Sequence, residues 1–195
     1  MYYGIYKDIR EGAWICLRDS GIDRLPVDVL KIARAAGIRV VRNSLANVLK
    51  SDELGKTLYD GSNWLIVYDD SRSTSEARIT IAHEIGHILL GHELKHIKYA
   101  KTKEFDKQPL SEQQAEMFAT RLLCPACVLW KLDLHTPHEI AEYCRVPMDM
   151  AKERGRRMKI LYERNMFLSS DIEKEVFAKF ENYLNEEIKR KAKMK

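Results

Sequence analysis

Apolar residues recur at three- and four-residue intervals along most of this chain, the period of a helix, and crowd into β-branched runs at only two places. The spacing predicts a helix from Asp23 to Gly37: Pro26 suits its first turn, Val27, Leu30, Ile32 and Ala33 repeat on one side, and Gly37 supplies a stop. The two β-rich runs follow it. Ile38, Val40 and Val41 in IRVVRNS form one strand, and NWLIVYDD at 63–70 forms another that ends in the polar turn DDSRSTS. A buried helix is then expected over SEARITIAHEIGHILLGH at 75–92, with Ser75 as N-cap and Gly91 as a left-handed stop.

Residues 92–110 are lysine-rich and aperiodic, so they read as an exposed connection with the character of a lid. A helix opens near Ser111, with Ala115, Phe118, Ala119, Leu122 and Leu123 on one face, and Pro125 ends it. Thr136, Pro137 and Glu139 make a capping box for the next helix, which Val146-Pro147 breaks. Helices over 148–162 and 171–193 complete a mostly helical chain of α+β class, with a small β-sheet and a helical body.

Composition narrows the function without naming it. Lys and Arg exceed Asp and Glu by only four among 195 residues, too near balance to make nucleic acid the default partner. The first residues carry Lys7, Asp8, Arg10 and Glu11 where a signal peptide needs an apolar run, and no segment reads as membrane-spanning, so a cytoplasmic protein is expected. In that reducing compartment Cys16, Cys124, Cys127 and Cys144 are expected as free thiols.

The chemistry sits in the buried helix. His83-Glu84-Ile85-Gly86-His87 is an HExxH motif, and residues four apart on a helix share a face, so both imidazoles can address one ion about 2.0–2.1 Å away. Glu84 is turned about 100° from His83 by the helical period, beside a zinc ion rather than on it, and within reach of a zinc-bound water as a general base. Ile79, Ile81, Ala82, Ile85, Ile88 and Leu89 surround the trio, a costly setting for three polar groups without an ion to satisfy them. A catalytic zinc takes three protein ligands, and the third comes from downstream, since Leu90 and Glu93 stand where a metzincin would carry Gly and His. Glu112 is the expected ligand. Glu116, one turn further on, is the expected carboxylate that orients a zinc-bound histidine, although the two could exchange roles.

Other signals are weaker. His92, His96, Tyr99 and Arg78 are close enough in sequence to supply an oxyanion donor, but spacing chooses none of them, and each reads more simply as a cap, loop or surface residue. Cys124-Pro-Ala-Cys127 has CxxC spacing but no second pair, which suits buried thiols. Arg154, Arg156 and Arg157 lie on the second of two helices with a short break, superficially a helix-turn-helix, yet the modest charge disfavours DNA contact.

RITIAHEIGHILLGH at 78–92 and EQQAEMFATRLLCP at 112–125, in that order and spacing, resemble the ImmA/IrrE family of zinc metallopeptidases. The similarity extends upstream through LPVDVLKIARAAGIRVV and downstream through HEIAEYCRVPMDMAKERGRRM, about residues 22–165. The resemblance implies a zincin-like domain over 1–165 with a charged helical extension over 166–195, and a gluzincin-like endopeptidase with His83, His87 and Glu112 on Zn2+ and Glu84 as catalyst. Two positions depart from the family's pattern: Glu116 stands where Asn or Asp is frequent, and Cys124 where Met is common. The family's usual substrate is a helix-turn-helix transcriptional repressor of a mobile element or phage, cut to relieve repression. The alternative expectation is a non-catalytic anti-repressor that holds its repressor or DNA and uses zinc as a structural pin.

Overall fold

The computed structural model describes residues 3–92 and 108–193. Helix α1 (Tyr3–Asp19) was not among the expected elements, although Ile9, Ala13, Trp14, Cys16 and Leu17 form a buried stripe along it at helical spacing. Helix α2 (Val29–Ala35) starts later than the Asp23 expected. Asp28 caps it instead, its Oδ1 accepting from the Leu30 and Lys31 amides at 3.0 and 2.9 Å. Strand β1 (Ile38–Arg42), the short α3 (Asn43–Ala46), β2 (Gly55–Tyr59) and β3 (Trp64–Tyr68) follow.

The sheet order is β1-β3-β2: β1 pairs parallel to β3, with Val40 opposite Ile66, and β2 pairs antiparallel to it, with Thr57 opposite Ile66. Strand β2 carries no apolar alternation because its two buried positions are Gly55 and Thr57. The neighbour on that face is helix α4 (Thr74–Leu89). A Cβ on Gly55 would overlap the Thr80 methyl and meet Glu84 Oε1 at 3.2 Å, so only glycine lets the strand come this close to the helix.

The cap of helix α4 lies two residues before the Ser75 expected, because Ser73 completes a reciprocal box with Glu76: the Glu76 amide donates to Ser73 Oγ and the Ser73 amide donates to Glu76 Oε2, both at 3.3 Å. Leu90 caps its end and Gly91, at φ 68°, turns the chain away. Most of the expected connection over 92–110 lies outside the described residues.

Helix α5 (Leu110–Leu123) lies against α4, with Phe118, Ala119, Leu122 and Leu123 fully buried. Replacing Phe118 by Ala would cost about 3–5 kcal/mol on the usual scale for a buried aromatic. Then come α6 (Ala126–Lys131), α7 (Pro137–Cys144) with the expected Thr136–Glu139 box, α8 (Met148–Glu163), α9 (Asp171–Lys179) and α10 (Glu181–Lys193). The single helix expected over 171–193 is divided at Phe180, a fully buried residue. Val176, Phe180 and Leu184 join the same core as α1, α4 and α5, and α9 packs on α1.

Arg78 ties this arrangement together. Its Nη1 donates to the Cys144 and Arg145 carbonyls at 2.9 and 2.6 Å, and its Nη2 donates to the Val27 carbonyl at 2.9 Å, so one guanidinium joins α4, the end of α7 and the approach to α2. No helix among the described residues is long and apolar enough to cross a membrane.

Candidate metal centre

The helical period puts His83 and His87 on the same side of α4, where both are fully buried with their Nε2 atoms 2.9 Å apart. Glu112 enters from the first turn of α5. Its Oε2 is 3.2 Å from His83 Nε2 and its Oε1 is 3.4 Å from His87 Nε2. Gly86 permits this approach, since a Cβ there would stand 3.0 Å from Phe118 Cδ1 and 3.3 Å from Ala115 Cα.

These separations match a metal's coordination edges. Tetrahedral ligands at 2.0–2.1 Å from zinc lie about 3.3 Å from one another, close to all three observed distances. The three donor atoms fall within 4.8 Å of one another, and no further His, Cys, Asp or Glu joins them among the described residues. Their protonation states also suit a cation. Burial holds His83 down at about 4, against the opposing pull of its bond to Glu112, so the imidazole is neutral at pH 7. At Glu112 burial pushes upward, but the bonds from His83 and His87 and their charges outweigh it and bring the carboxyl down to about 2. Two imidazole nitrogens and one carboxylate form a donor set that fits a borderline-soft divalent ion.

His87 is oriented from behind. Its Nδ1 lies 2.9 Å from His92 Nδ1, and His92 Nε2 lies 2.8 Å from Gln114 Oε1 on α5. Because the amide oxygen only accepts, His92 carries its proton on Nε2 and presents a lone pair at Nδ1. His87 therefore donates from Nδ1 and keeps the lone pair of Nε2 for the ion. His92 was considered above only as an oxyanion donor or helix cap. Gln114 was missed, and its place two residues after Glu112 on the same helix was the available signal.

Glu84 sits on the neighbouring face, fully buried, with Thr57 Oγ1 of β2 donating to its Oε2 at 2.5 Å while Oε1 has no hydrogen-bond partner among the described residues. Burial raises its carboxyl to about 7, and the Thr57 bond pulls against that rise. Thr57 had no role in the sequence reading, because a lone threonine in a strand without apolar alternation carries no signal.

Glu116 lies one turn beyond Glu112. Burial and the neighbouring Asp149, Glu153 and Glu112 raise its carboxyl, and no bond from it to either imidazole occurs among the described residues. It is His92 that contacts His87 from behind. Arg78 is committed to three backbone carbonyls, while His96 and Tyr99 lie outside the described residues.

All four cysteines are buried free thiols, and Cys124 hydrogen-bonds with Cys144 rather than forming a redox pair with Cys127. Arg154 of the apparent helix-turn-helix is itself buried, its Nε donating to the Cys124 carbonyl at 2.8 Å, and Arg156 is paired with Glu153.

The model of the IrrE N-terminal-like domain, a peptidase family, matches residues 33–155 and so takes in all three metal-facing side chains, Glu84 and Thr57. The chain belongs to the IrrE N-terminal-like peptidase family. No curated protein matches its sequence. Membership of the IrrE N-terminal-like family supports a function of metallopeptidase type, and the convergence of His83, His87 and Glu112 gives that function a place to bind a metal ion.

Proposed function

We propose that this protein is a zinc-dependent endopeptidase whose substrate is a helix-turn-helix transcriptional repressor, and that it works in the cytoplasm. The observation that carries the catalytic reading is the convergence of two imidazole nitrogens of α4 and one carboxylate of α5, with a second, differently held carboxylate one residue after His83 on α4. A set of three donors, all that the described residues bring together, would leave a coordination position open, where a structural zinc site would be closed by four protein ligands.

Zinc held by His83 Nε2, His87 Nε2 and Glu112 would polarise the scissile carbonyl and acidify a water molecule. The protein's own contribution is proton transfer and positioning. Thr57 fixes one oxygen of Glu84, which leaves Oε1 as the basic atom that takes a proton from the attacking water and delivers it to the leaving amine nitrogen. A carboxyl near 7 suits both transfers at neutral pH, since it accepts and releases a proton at little cost in either direction. The Gln114–His92–His87 relay keeps the second imidazole in the ligating tautomer throughout.

The substrate class rests on the family resemblance, and the buried free thiols suit a reducing compartment. The test is to incubate the purified protein with the helix-turn-helix repressor encoded nearest its gene, with zinc, with chelator, and as Glu84→Gln. Fragments are expected only with zinc and intact Glu84, at a rate at least about 100-fold above the variant's. Repressor bound but uncut under every condition would refute the endopeptidase reading in favour of sequestration.

A further inference from the structure

Alternate residues of a strand share a face, so Gly55, Thr57 and Tyr59 of β2 lie on one side of the sheet, with Tyr68, Ile66 and Trp64 of β3 opposite them. Gly55 and Thr57 use that side to meet Glu84 of α4. Tyr59 stands on the same side two residues further on, about 6.8 Å along the strand from the threonine that holds Glu84.

Tyr59 differs from the other two in its exposure. Gly55 and Thr57 are buried, whereas Tyr59 is 50% exposed, with its ring against that of Trp64, centroids 4.5 Å apart and planes inclined by 35°. A cross-strand aromatic pair steadies a hairpin, but that contact leaves half of the tyrosine open. The ring is also held in place. Its hydroxyl donates to the Gly61 carbonyl at 3.0 Å, and the turn that carries Gly61 is fixed by Asp60 Oδ1, which accepts from the Ser62 and Asn63 amides at 2.9 and 2.7 Å. Trp64 backs it and packs in turn against the core. Such a pre-set surface loses little freedom when an apolar group settles on it.

The surroundings select the kind of group. The nearby charged strand residues, Lys56 of β2 and Arg39 of β1, alternate to the other face of the sheet, and Asp60 is committed to its turn. What this side offers beside Thr57 is aromatic surface, which favours an aromatic, methionine or branched aliphatic side chain over a charged one.

We propose that Tyr59, backed by Trp64, is the subsite for a large apolar side chain of the peptide substrate, within two residues of the bond that is cut. The proposal rests on the peptidase reading, and the strand supplies its limit. An extended peptide advances about 3.4 Å per residue, so the span from Thr57 to Tyr59 equals two residues of a chain whose scissile carbonyl lies at Glu84.

Three fluorescein-labelled decapeptides of Gly, Ser and Ala, differing only in a central Phe, Ala or Lys, test this on the full chain loaded with zinc. Their binding to Glu84→Gln is read by anisotropy, and their cleavage by the parent is read by mass spectrometry. The Phe peptide should bind at least about tenfold tighter than the other two, the discrimination that an apolar pocket supplies, and the parent should cut it within two residues of the Phe. Adding Tyr59→Ala to Glu84→Gln should erase the preference. Tyr59→Phe, which keeps the ring and loses only the bond to Gly61, should retain it. Equal binding of the three peptides, a preference that survives Tyr59→Ala, or cuts falling further from the Phe would overturn the proposal. A preference in binding that Tyr59→Ala erases, with none of the peptides cut by the parent, would count against the hydrolysis and would leave the aromatic subsite standing.

Discussion

Gly86 and Gly155 offer a matched pair of helical glycines for testing whether close approach of α4 and α5 builds the metal centre. Each lies inside a helix, where Ala is worth about 1 kcal/mol more than Gly. At Gly155 the added methyl would meet nothing nearer than Pro137 Cγ at 3.6 Å, an ordinary contact, so Gly155→Ala should stabilise by about 1 kcal/mol. At Gly86 it would meet Phe118 Cδ1 at 3.0 Å and the Ala115 backbone at 3.3 Å, and neither can step aside without moving α5. Overpacking of this kind costs about 1–3 kcal/mol, which cancels or exceeds the propensity gain. Gly86→Ala should therefore be neutral to about 2 kcal/mol destabilising in urea unfolding with chelator present. The displacement also moves Glu112, one turn before Ala115, away from the two imidazoles. Zinc affinity, measured by competition with a chromophoric chelator, should fall about tenfold, the lower end of what disturbing a metal ligand's surroundings costs. If Gly86→Ala stabilises as much as Gly155→Ala and binds zinc as tightly as the parent, the contact of these helices does not set the site's geometry.

Three further outcomes follow from the same site. His92→Leu should lower zinc affinity about 10–100-fold by freeing the His87 ring, and an unchanged affinity would remove the relay from the account. Glu84→Gln should change the pH dependence of stability of the metal-free protein. The folded carboxyl stands at about 7, above its ordinary 4.5, so the parent's stability from this group is complete below about 4.5 and is lost as pH rises to about 7. The variant lacks that loss and should be more stable than the parent at pH 8 by about 3 kcal/mol, relative to their difference at pH 4. Parallel pH profiles in chelator would contradict the burial of this carboxylate. Thr57→Val should raise the Glu84 pKa further and move the acidic limb of the peptidase profile upward by about one pH unit, whereas an unmoved limb would show that the hydroxyl does not tune the base.

The convergence of His83, His87 and Glu112 was legible because all three lie on helices whose apolar period is written plainly in the sequence. His83, Glu84 and His87 are fixed relative to one another by that period, and Glu112 precedes the stripe of Ala115, Phe118 and Leu122 that presses α5 against α4. What escaped was set by tertiary contact. Strand β2 was invisible because closeness to α4 selects Gly55 and Thr57 on its buried face in place of β-branched apolar residues. The relay behind His87 joins residues 22 positions apart through a segment without periodicity. Glu116 shares an approximate face with Glu112, yet the 40° by which four residues overshoot one helical turn directs it toward the acidic residues of α8. The break at Phe180 has neither glycine nor proline to announce it.

The segment matched by the family begins inside α2 and stops inside α8, so its limits cut two helices through their middles. Outside those limits lie α1, which packs on α5, and α9, which packs on α1, with Leu17 and Val176 buried in the shared core. A fragment trimmed to the matched residues would keep His83, Glu84, His87 and Glu112 and would strip α1 from the rod that carries Glu112. For this protein, the stretch that carries the metal-facing side chains and the stretch that carries their covering core are different lengths of chain.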